Sequence, residues 1–461
     1  MEPAPPQDER LFRTEALATL RLAVPLVIGQ ATNVAMVFVD TVFAGRLSAP
    51  DLAAVAIGGT VWSTINLLVL GTLLAVPAFV ANYDGAGERH RITAFVRQAA
   101  WVALAMSLCS FVALRHFEPV LALLGIEPEV VPLAGDYLRA ISWGAPFYAA
   151  FFLFRFLSEG LGLTRPAMYF GILGLLLNIP ADYVLMYGKL GLPALGAEGC
   201  GYATALVLAA QCALLGWFIA TARPYRFLRL FSGIDRPDPA AIREILTTGL
   251  PIGFAVFIES SLFLCATLLM GSLGTVEVAG HQVALNFAAL MFMIPLGVTF
   301  AITIRVGNAA GRRDWAEVRF RGLSGMKLIL GTQAVSAMIM FLFPAAIASI
   351  YTANIAVQDV AIQLLFYAAI FQFSDGAQVA AAGALRGIKD TRIPLLLMVV
   401  AYWIVGIPLS YYLGIKLGGR GAGIWIGLIV GLTIAAGALL WRFLYLTAPE
   451  RAAALSGTGT R

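Results

Sequence analysis

Apolar runs long enough to cross a lipid bilayer recur along the whole of this chain. A helix needs about 20 consecutive apolar residues to span a hydrocarbon core of about 30 Å. Only short polar segments separate the runs, and just 12% of the 461 residues are charged, whereas ordinary soluble domains have roughly 25%. The pattern predicts an all-α integral membrane protein.

We predict twelve transmembrane helices. Their ranges are 18–45, 52–80, 93–115, 136–159, 166–188, 194–221, 244–271, 277–304, 322–350, 360–385, 393–415 and 421–446. Residues 1–17 and 447–461 are then terminal tails. The first apolar run is too long for the core of a signal peptide, so we expect it to stay as the first helix.

Basic residues are divided unevenly between alternate connecting segments. If the N-terminus is cytoplasmic, 25 of the 31 lysines and arginines lie on that side, Arg155 and Arg386 among them. Because lysine and arginine accumulate in cytoplasmic loops, we expect both termini in the cytoplasm and the chain in the inner (plasma) membrane. The net charge of +5 is therefore a topology signal, and no nucleic-acid partner is expected.

The two halves of the chain resemble each other at an offset of 226 residues. The aligned pairs include Pro25 with Pro251, Gly45 with Gly271, Gly71 with Gly297 and Asn82 with Asn308. We predict two pseudo-symmetric six-helix lobes, 18–221 and 244–446, joined by a cytoplasmic linker at 222–243. Six helices give both lobes the same orientation, a design common among transporters that work by alternating access.

Four carboxylic acids lie inside the apolar runs. They are Asp40, Asp182, Glu259 and Asp375. A charged side chain at the centre of a membrane helix costs roughly 2.5–3.5 kcal/mol even on lenient insertion scales. Such residues usually face an interior cavity and bind ions or substrates, so we interpret all four as candidate site residues.

Asn178 and Asp182 are four residues apart and share one face of the fifth predicted helix. Asp40 lies in the same outer half of the membrane by residue count. Their oxygen atoms suit a proton or a hard monovalent cation. The alternative is a structural arrangement, in which a protonated Asp40 hydrogen-bonds Asn178.

Glu259 and Asp375 lie near the middle of the seventh and tenth predicted helices. Gln282 and Asn286, again four residues apart, are candidates to line the same cavity. Neighbouring carboxylates disfavour each other's charged form, so one of them can exchange a proton for a cationic ligand. A purely structural role is the alternative, although polar contacts inside membranes are more often made by Ser, Thr or Asn.

Other chemistries find little support in the sequence. The four cysteines have no CxxC or metal-ligand spacing, and we predict free thiols inside the helices. The three histidines, His281 among them, are predicted to lie in or near loops, too scattered for a metal or catalytic site. No Walker or GxGxxG motif is present, so ATP hydrolysis is not expected. We expect no cofactor.

Over nearly its full length the chain resembles the multidrug and toxic compound extrusion (MATE) family, in its NorM-like branch. The matching stretches are FVDTVFAG (38–45), YLRAISWGAP (137–146), EGLGLTRP (159–166), NIPADYVLMYG (178–188), GLPIG (249–253), AGHQVALNF (279–287), RVGNAAG (305–311) and SDGAQVAAAGALRGIKDT (374–391). The resemblance implies two six-helix lobes that form a V. It also implies drug resistance through export of organic cations in exchange for Na⁺ or H⁺.

The resemblance also assigns roles to individual residues. The first-lobe cation or proton site, where Na⁺ is one expected ligand, would comprise Asp40, Asn178, Asp182 and Thr204. Glu259 and Asp375 would form a cation site in the second lobe. The residues expected to contact substrate are Glu259, Asp375, Gln282, Asn286 and Phe371.

One position departs from the family pattern. NorM-like members often carry a tyrosine four residues before the second-lobe aspartate, and Phe371 stands there in this chain. A hydroxyl ligand for Na⁺ is therefore missing beside Asp375. This favours coupling to H⁺, or to Na⁺ held in the first lobe.

An antiporter is the favoured function, and two alternatives stay open. A flippase for a lipid-linked precursor would need a basic cavity for pyrophosphate, whereas the acids here lie in mid-span. An intramembrane Mg²⁺-dependent enzyme would need closely spaced aspartates near the cytoplasmic face, and the sequence shows no such pair. For the antiporter we expect a monomer, surrounded by membrane lipids, with small organic cations and dyes as partners.

Overall fold

In the computed structural model, which describes residues 7–233 and 235–449, the regular secondary structure of the described chain is helical. The helices of the first half are α1 (Gln7–Leu47), α2 (Ala49–Leu73), α3 (Ala75–Gly85), α4 (Arg89–Arg115), α5 (Glu118–Leu123), α6 (Val130–Ser142), α7 (Ala145–Gly160), α8 (Arg165–Tyr187) and α9 (Gly196–Thr221). A single 3₁₀ turn, Arg223–Tyr225, follows them.

The second half continues the same pattern. Its helices are α10 (Pro239–Gly271), α11 (Thr275–Gly311), α12 (Trp315–Leu342), α13 (Pro344–Tyr351), α14 (Ile355–Gly387), α15 (Arg392–Val399), α16 (Ile407–Tyr411) and α17 (Arg420–Leu446). Two π-helical segments, Val400–Gly406 and Tyr412–Lys416, flank α16 and join it to α15 in one continuous span.

Eleven segments of the described chain are long and apolar enough to cross a membrane, and the bent pair of α6 and α7 makes a twelfth. Each of them coincides with one predicted span. The prediction of an all-α integral membrane protein with twelve transmembrane helices is therefore confirmed. Most helices extend several residues beyond the predicted ends, because helical structure continues into the polar residues that border each apolar run.

The fourth span, predicted as one helix over 136–159, is bent by 48° between α6 and α7. Trp143 and Gly144 end α6 with hydrogen bonds to carbonyls three residues earlier. Pro146 then lies in the first turn of α7, where its missing N–H costs nothing. The tight hydrogen bonds that end α6 and the proline that begins α7 together explain the bend.

The predicted boundary of the ninth span, 322–350, is wrong at its C-terminal end. Helix α12 stops at Leu342, and residues 344–351 form the separate helix α13. Pro344 cannot donate the backbone bond that a longer α12 would need, and its ring disfavours a helical conformation of the preceding residue. Phe343 accordingly has φ −125° and ψ 36°.

The described chain divides into two compact units. The first unit is Ile28–Gly253, and the second consists of the chain up to Val27 together with the chain from Phe254 onward. The boundaries are 226 residues apart, which is the offset of the internal repeat.

Both unit boundaries fall inside long helices rather than in loops. One lies in α1 and the other in α10, each two residues after a helix-interior proline, Pro25 or Pro251. The predicted first lobe, 18–221, includes residues 18–27 of α1, which belong to the second unit. The predicted second lobe, 244–446, includes residues 244–253 of α10, which belong to the first unit. The predicted tails, 1–17 and 447–461, lie partly outside the described residues.

In the first unit, α9 packs closely against α8 and α6 around Cys200. A Cβ added to Gly199 would lie 2.6 Å from the carbonyl oxygen of Leu185, and one added to Gly201 would lie 2.7 Å from that of Tyr137. Small residues allow membrane helices to approach this closely. Cys200, between the two glycines, is fully buried as a result.

Arg155, which the charge analysis counts on the cytoplasmic side, lies inside α7. It is 2% exposed, and its Nε donates to Oε1 of Glu159, one turn further along, at 2.7 Å. A terminal guanidinium nitrogen donates to Oε1 of Gln30 at 3.0 Å. A buried charge is tolerated when it is paired in this way, so Arg155 contributes to packing rather than to loop charge.

Candidate functional site

Helices α1, α8 and α9 bring the polar residues of the first unit together. One carboxylate oxygen each of Asp40 and Asp182 and the Sγ of Cys200 lie within 4.8 Å of one another. Asp40 is 9% exposed, and Asp182, Cys200 and Asn178 are fully buried. We call these four residues, together with Thr204, the first-unit cluster.

Helical spacing explains how two helices supply most of the cluster. Asn178 and Asp182 lie one turn apart on the buried face of α8, and Cys200 and Thr204 have the same spacing on α9. Helix α8 ends at Gly188, whose left-handed conformation (φ 66°) starts the turn towards α9. The two helices then run side by side in opposite directions, which brings Asp182 of α8 next to Cys200 of α9.

The polar atoms of the first-unit cluster are buried with few hydrogen bonds. Both side-chain atoms of Asn178, both carboxylate oxygens of Asp182 and Oδ1 of Asp40 find no hydrogen-bond partner within the described chain. The same is true of the Thr204 hydroxyl. An unpaired buried polar group costs about 1–3 kcal/mol, so a proton, a cation or water is needed to satisfy them.

No protein cation neutralises Asp182 in the part of the chain that the structure describes, since neither of its oxygens has a partner. Lys189, the next lysine along the chain, instead lies over the ring of Tyr183, 5.9 Å from its centroid. Two carboxyl groups held together away from water cannot both stay charged without a compensating positive charge. The cluster therefore has the chemistry of a cation or proton site.

The second unit holds the other two acids. Asp375 on α14 is 5% exposed, and its Oδ1 has no hydrogen-bond partner among the described residues. Glu259, half-buried on α10, interacts electrostatically with both Asp375 and Arg386. Arg386 is half-buried within α14 rather than in a loop. We call Glu259, Asp375 and Arg386 the second-unit charge group.

Phe371 lies one turn before Asp375 on α14 and is 3% exposed. Its ring packs edge-on against Phe263 and Trp425, with centroids 5.9 Å and 5.5 Å away. The residue thus forms an apolar wall beside the acid and supplies no oxygen ligand.

The two predicted amide residues of α11 are less closely tied to the acids. Gln282 is half-buried and Asn286 is exposed, and no hydrogen bond of the described chain joins either to Glu259 or Asp375. Gln378 is a stronger candidate. It is 1% exposed, both of its amide atoms lack a partner among the described residues, and it follows Asp375 by three residues on α14.

His281, predicted to lie in or near a loop, lies close to the start of α11. It is fully buried within α11. Its Nε2 lies 3.2 Å from the Thr267 hydroxyl, and its ring packs against Trp425 with centroids 5.7 Å apart. It lies in the second turn of α11, which begins at Thr275, two residues before the predicted start of this span.

The sequence analysis missed Cys200, Arg386, Gln378 and Tyr402 as candidate site residues. The signal for Cys200 was present, since it precedes Thr204 by one helical turn. Gln378 is likewise one turn from Asp375. Tyr402, whose hydroxyl is buried without a partner in the described chain, lies in a π-helical segment that no sequence pattern marked.

Comparison with known proteins places this arrangement among membrane transporters. The MatE family profile matches residues 25–184 and 251–412. "Probable multidrug resistance protein NorM" of Xanthomonas axonopodis pv. citri is 44% identical over 432 residues, covering 94% of each chain. "Multidrug resistance protein PmpM" of Pseudomonas aeruginosa is 45% identical over 442 residues, covering 94% of this chain and 92% of that one.

Solved structures share the fold at lower sequence identity. A crystal structure of "MATE in the straight conformation" superposes with a TM-score of 0.86 at 21% identity, over 97% of this chain and 100% of that one. The "eukaryotic MATE transporter AtDTX14" gives a TM-score of 0.86 at 18% identity, over 96% and 98% of the two chains. The two blocks that the family profile matches, 25–184 and 251–412, correspond to the two halves of the internal repeat.

Proposed function

The chain belongs to the MatE family, and we propose that it is a secondary active multidrug efflux antiporter that exports organic cations in exchange for Na⁺ or H⁺. It is a transporter and not an enzyme. Relatives called multidrug resistance proteins, at 40–45% identity over more than nine-tenths of the chain, support the drug-export part of this proposal. The internal repeat fits a mechanism of alternating access.

The observation that carries the coupling proposal is the first-unit cluster. Buried carboxyl and amide oxygens without partners in the described chain are typical of a site that takes up a proton or a small cation. We propose that Asp40, Asn178, Asp182 and Thr204 bind the coupling ion. Their oxygen atoms suit Na⁺ as well as H⁺.

The second-unit charge group is proposed to hold the charge of the drug. Glu259 and Asp375 are negative when ionised, and an organic cation would compensate the cost of their burial. Arg386 already interacts with Glu259, so it would keep the empty site from carrying two uncompensated charges. Phe371 is 3% exposed and Trp425 is fully buried, so these rings pack beside the acids and leave little open surface for an aromatic ligand.

Exchange follows if Glu259 and Asp375 also take up the coupling ion and cannot satisfy the drug and the ion together. A protonated or Na⁺-bound carboxylate attracts an organic cation less strongly, so arrival of the ion favours drug release. Departure of the ion restores the negative charge that binds the next drug molecule. Each state would be favoured in one of the two orientations that alternating access requires.

The flippase alternative is less well supported by the described residues. A pyrophosphate headgroup would need clustered cations, whereas Arg386 stands beside two acids in the second unit and the first-unit cluster contains only acidic and neutral groups.

We further propose that the protein acts as a monomer in the inner membrane, with both termini in the cytoplasm. The prediction that follows concerns the segment after α9. A Ser232→Cys substitution is expected to remain unlabelled by a charged maleimide added outside intact cells, because the segment would lie in the cytoplasm. A Glu127→Cys substitution, in the exposed connection between α5 and α6, is expected to label.

Both labelling variants are to be made with Cys109 replaced by alanine, since Cys109 is the exposed native thiol of the described chain. Labelling after cell lysis shows that each new cysteine is reactive. Efficient labelling of Ser232→Cys in intact cells would reverse the proposed orientation.

A second prediction concerns the missing hydroxyl beside Asp375. Phe371→Tyr is expected to strengthen stimulation of efflux by Na⁺, because a phenol oxygen adds a hard ligand. A gain of about 1 kcal/mol corresponds to roughly fivefold in the Na⁺ concentration for half-maximal stimulation. Phe366→Tyr is the matched control, since that ring also lies on α14 but is exposed and packs against Phe341. An unchanged Na⁺ response in Phe371→Tyr would exclude Na⁺ from the second unit.

The proposed function itself is tested in everted membrane vesicles, whose outer face is the cytoplasmic one, so that export is seen as uptake of a fluorescent organic cation from the medium. A pH jump and a Na⁺ pulse are applied separately, and movement of the dye is followed. Dye transport in response to either gradient supports an antiporter, and the effective gradient identifies the coupling ion. Transport that responds to neither gradient would contradict secondary active antiport.

A further inference from the structure

Cys200 gives the first-unit cluster a ligand that a site for H⁺ or Na⁺ does not require. Its Sγ lies within 4.8 Å of a carboxylate oxygen of Asp40 and of Asp182, and the residue is fully buried. Sodium prefers oxygen atoms, whereas thiolate sulfur prefers softer cations. The sulfur therefore extends the range of cations that the cluster can hold.

The donor set matches that of a zinc site. Zn²⁺ is bound by cysteine sulfur at about 2.3 Å and by aspartate oxygen at about 2.0–2.2 Å, with four ligands in a tetrahedron. Asp40, Asp182 and Cys200 supply three of the four. Asn178 Oδ1, which is buried without a hydrogen-bond partner in the described chain, or a water molecule would complete the set.

We propose that the first-unit cluster also binds Zn²⁺, through Cys200, Asp40 and Asp182, and that this binding inhibits transport by displacing the coupling ion. Zinc binding follows from the donor atoms alone, whereas the inhibition rests on the proposed coupling role of the same acids. Ligand atoms that lie up to 4.8 Å apart must draw together by as much as about 1.2 Å to share one tetrahedral ion. Side-chain rotation at Asp40, which retains 9% exposure, allows this movement.

Binding of Zn²⁺ at the first-unit cluster releases protons. The ligand is the thiolate, so Zn²⁺ displaces the proton of the Cys200 thiol into solution as the Zn–S bond forms. Any proton shared by the two carboxyl groups is released in the same step. Two carboxylates and one thiolate then surround the divalent ion, which compensates most of their negative charge.

The cluster is the one place in the described chain where three side chains of the His, Cys, Asp and Glu types have metal-ligand spacing. The other thiols are Cys109, which is exposed, and Cys212 and Cys265, which are half-buried. This distribution provides three matched control positions for any test that depends on a thiol.

The first test uses Co²⁺ as a spectroscopic substitute for Zn²⁺ with the purified full-length protein. We expect about one Co²⁺ per chain, with a thiolate-to-cobalt charge-transfer band that added Zn²⁺ removes. Cys200→Ser should lose the band, while Cys109→Ser, Cys212→Ser and Cys265→Ser should keep it. The zinc affinity of Cys200→Ser should fall by more than the roughly 10–100-fold cost of losing an outer-shell partner.

Two outcomes of the cobalt experiment would overturn the proposal. One is the absence of a charge-transfer band at saturating Co²⁺ in wild-type protein that elutes as a single species. The other is a band that survives Cys200→Ser. If Cys200→Ser fails to fold, Cys200→Ala replaces it, and the three control variants still show whether another thiol is responsible.

The second test measures inhibition. Drug efflux in proteoliposomes is recorded with and without Zn²⁺, and each variant is compared with its own zinc-free activity. Wild-type efflux should be inhibited, and the fractional inhibition should be lost in Cys200→Ser. A cobalt band without zinc inhibition would show that the metal site exists but that the cluster does not carry the coupling ion, which separates the failure of one proposal from that of the other.

Discussion

Asp40→Asn is expected to reduce ion-coupled drug efflux to the level of vesicles without the protein. The substitution keeps the size of the side chain but removes its charge and its exchangeable proton. Asp40 shares a buried space with Asp182, so its loss leaves one carboxyl group that cannot change charge in concert with a partner. Dye efflux driven by a pH or Na⁺ gradient measures the effect.

The matched control for Asp40→Asn is Asp359→Asn. Asp359 is an exposed acid on α14 outside both charge groups, and its replacement should leave efflux near the wild-type rate. Gel filtration and dye binding show whether Asp40→Asn still folds. Wild-type efflux by a folded Asp40→Asn protein would favour the structural alternative for the first-unit cluster.

Glu259→Gln and Asp375→Asn are each expected to abolish resistance to cationic dyes such as ethidium. Both changes remove negative charge from the second-unit charge group, where Glu259 and Asp375 interact electrostatically. They also leave Arg386 with less compensation, so the site would repel a cation. A neutral hydrophobic drug, if it is carried, should be affected less. Growth of cells on each compound, with Asp359→Asn as control, measures the difference.

The same account predicts the sign of the pH dependence of dye binding. A carboxyl group loses its charge when it is protonated, so binding of a fluorescent cation to purified wild-type protein should weaken as the pH falls. Glu259→Gln should bind weakly at every pH and show a smaller change. Binding that ignores both pH and the two substitutions would remove the second-unit acids from the drug site.

Much of the fold could be predicted because membrane spans depend on length and hydropathy alone. Hydropathy locates all twelve spans, and the spacing of Asn178 and Asp182 places both on one helix face. Their approach to Asp40 was expected from depth in the membrane, and the structure brings Asp40 and Asp182 together. The binding role of these residues stays a prediction.

The features that the sequence analysis missed depend on backbone detail or on pairing across the chain. The break before α13 depends on a single residue, Pro344, inside an otherwise continuous apolar run. The burial of Arg155 depends on Glu159 and on Gln30, which lies 125 residues away. Cys200 reached the first-unit cluster because glycines on either side let α9 approach its neighbours. Hydropathy carries no information about such contacts.

In the proposed mechanism, the buried acids couple export of the drug obligatorily to entry of the ion. This coupling is tested most directly in proteoliposomes loaded with an organic cation and containing an internal H⁺ or Na⁺ indicator, with no ion gradient imposed. The account predicts that outward movement of the drug drives H⁺ or Na⁺ inward in wild-type vesicles and not in Asp40→Asn vesicles. Drug efflux without any inward ion movement, or equal ion movement in both preparations, would contradict it.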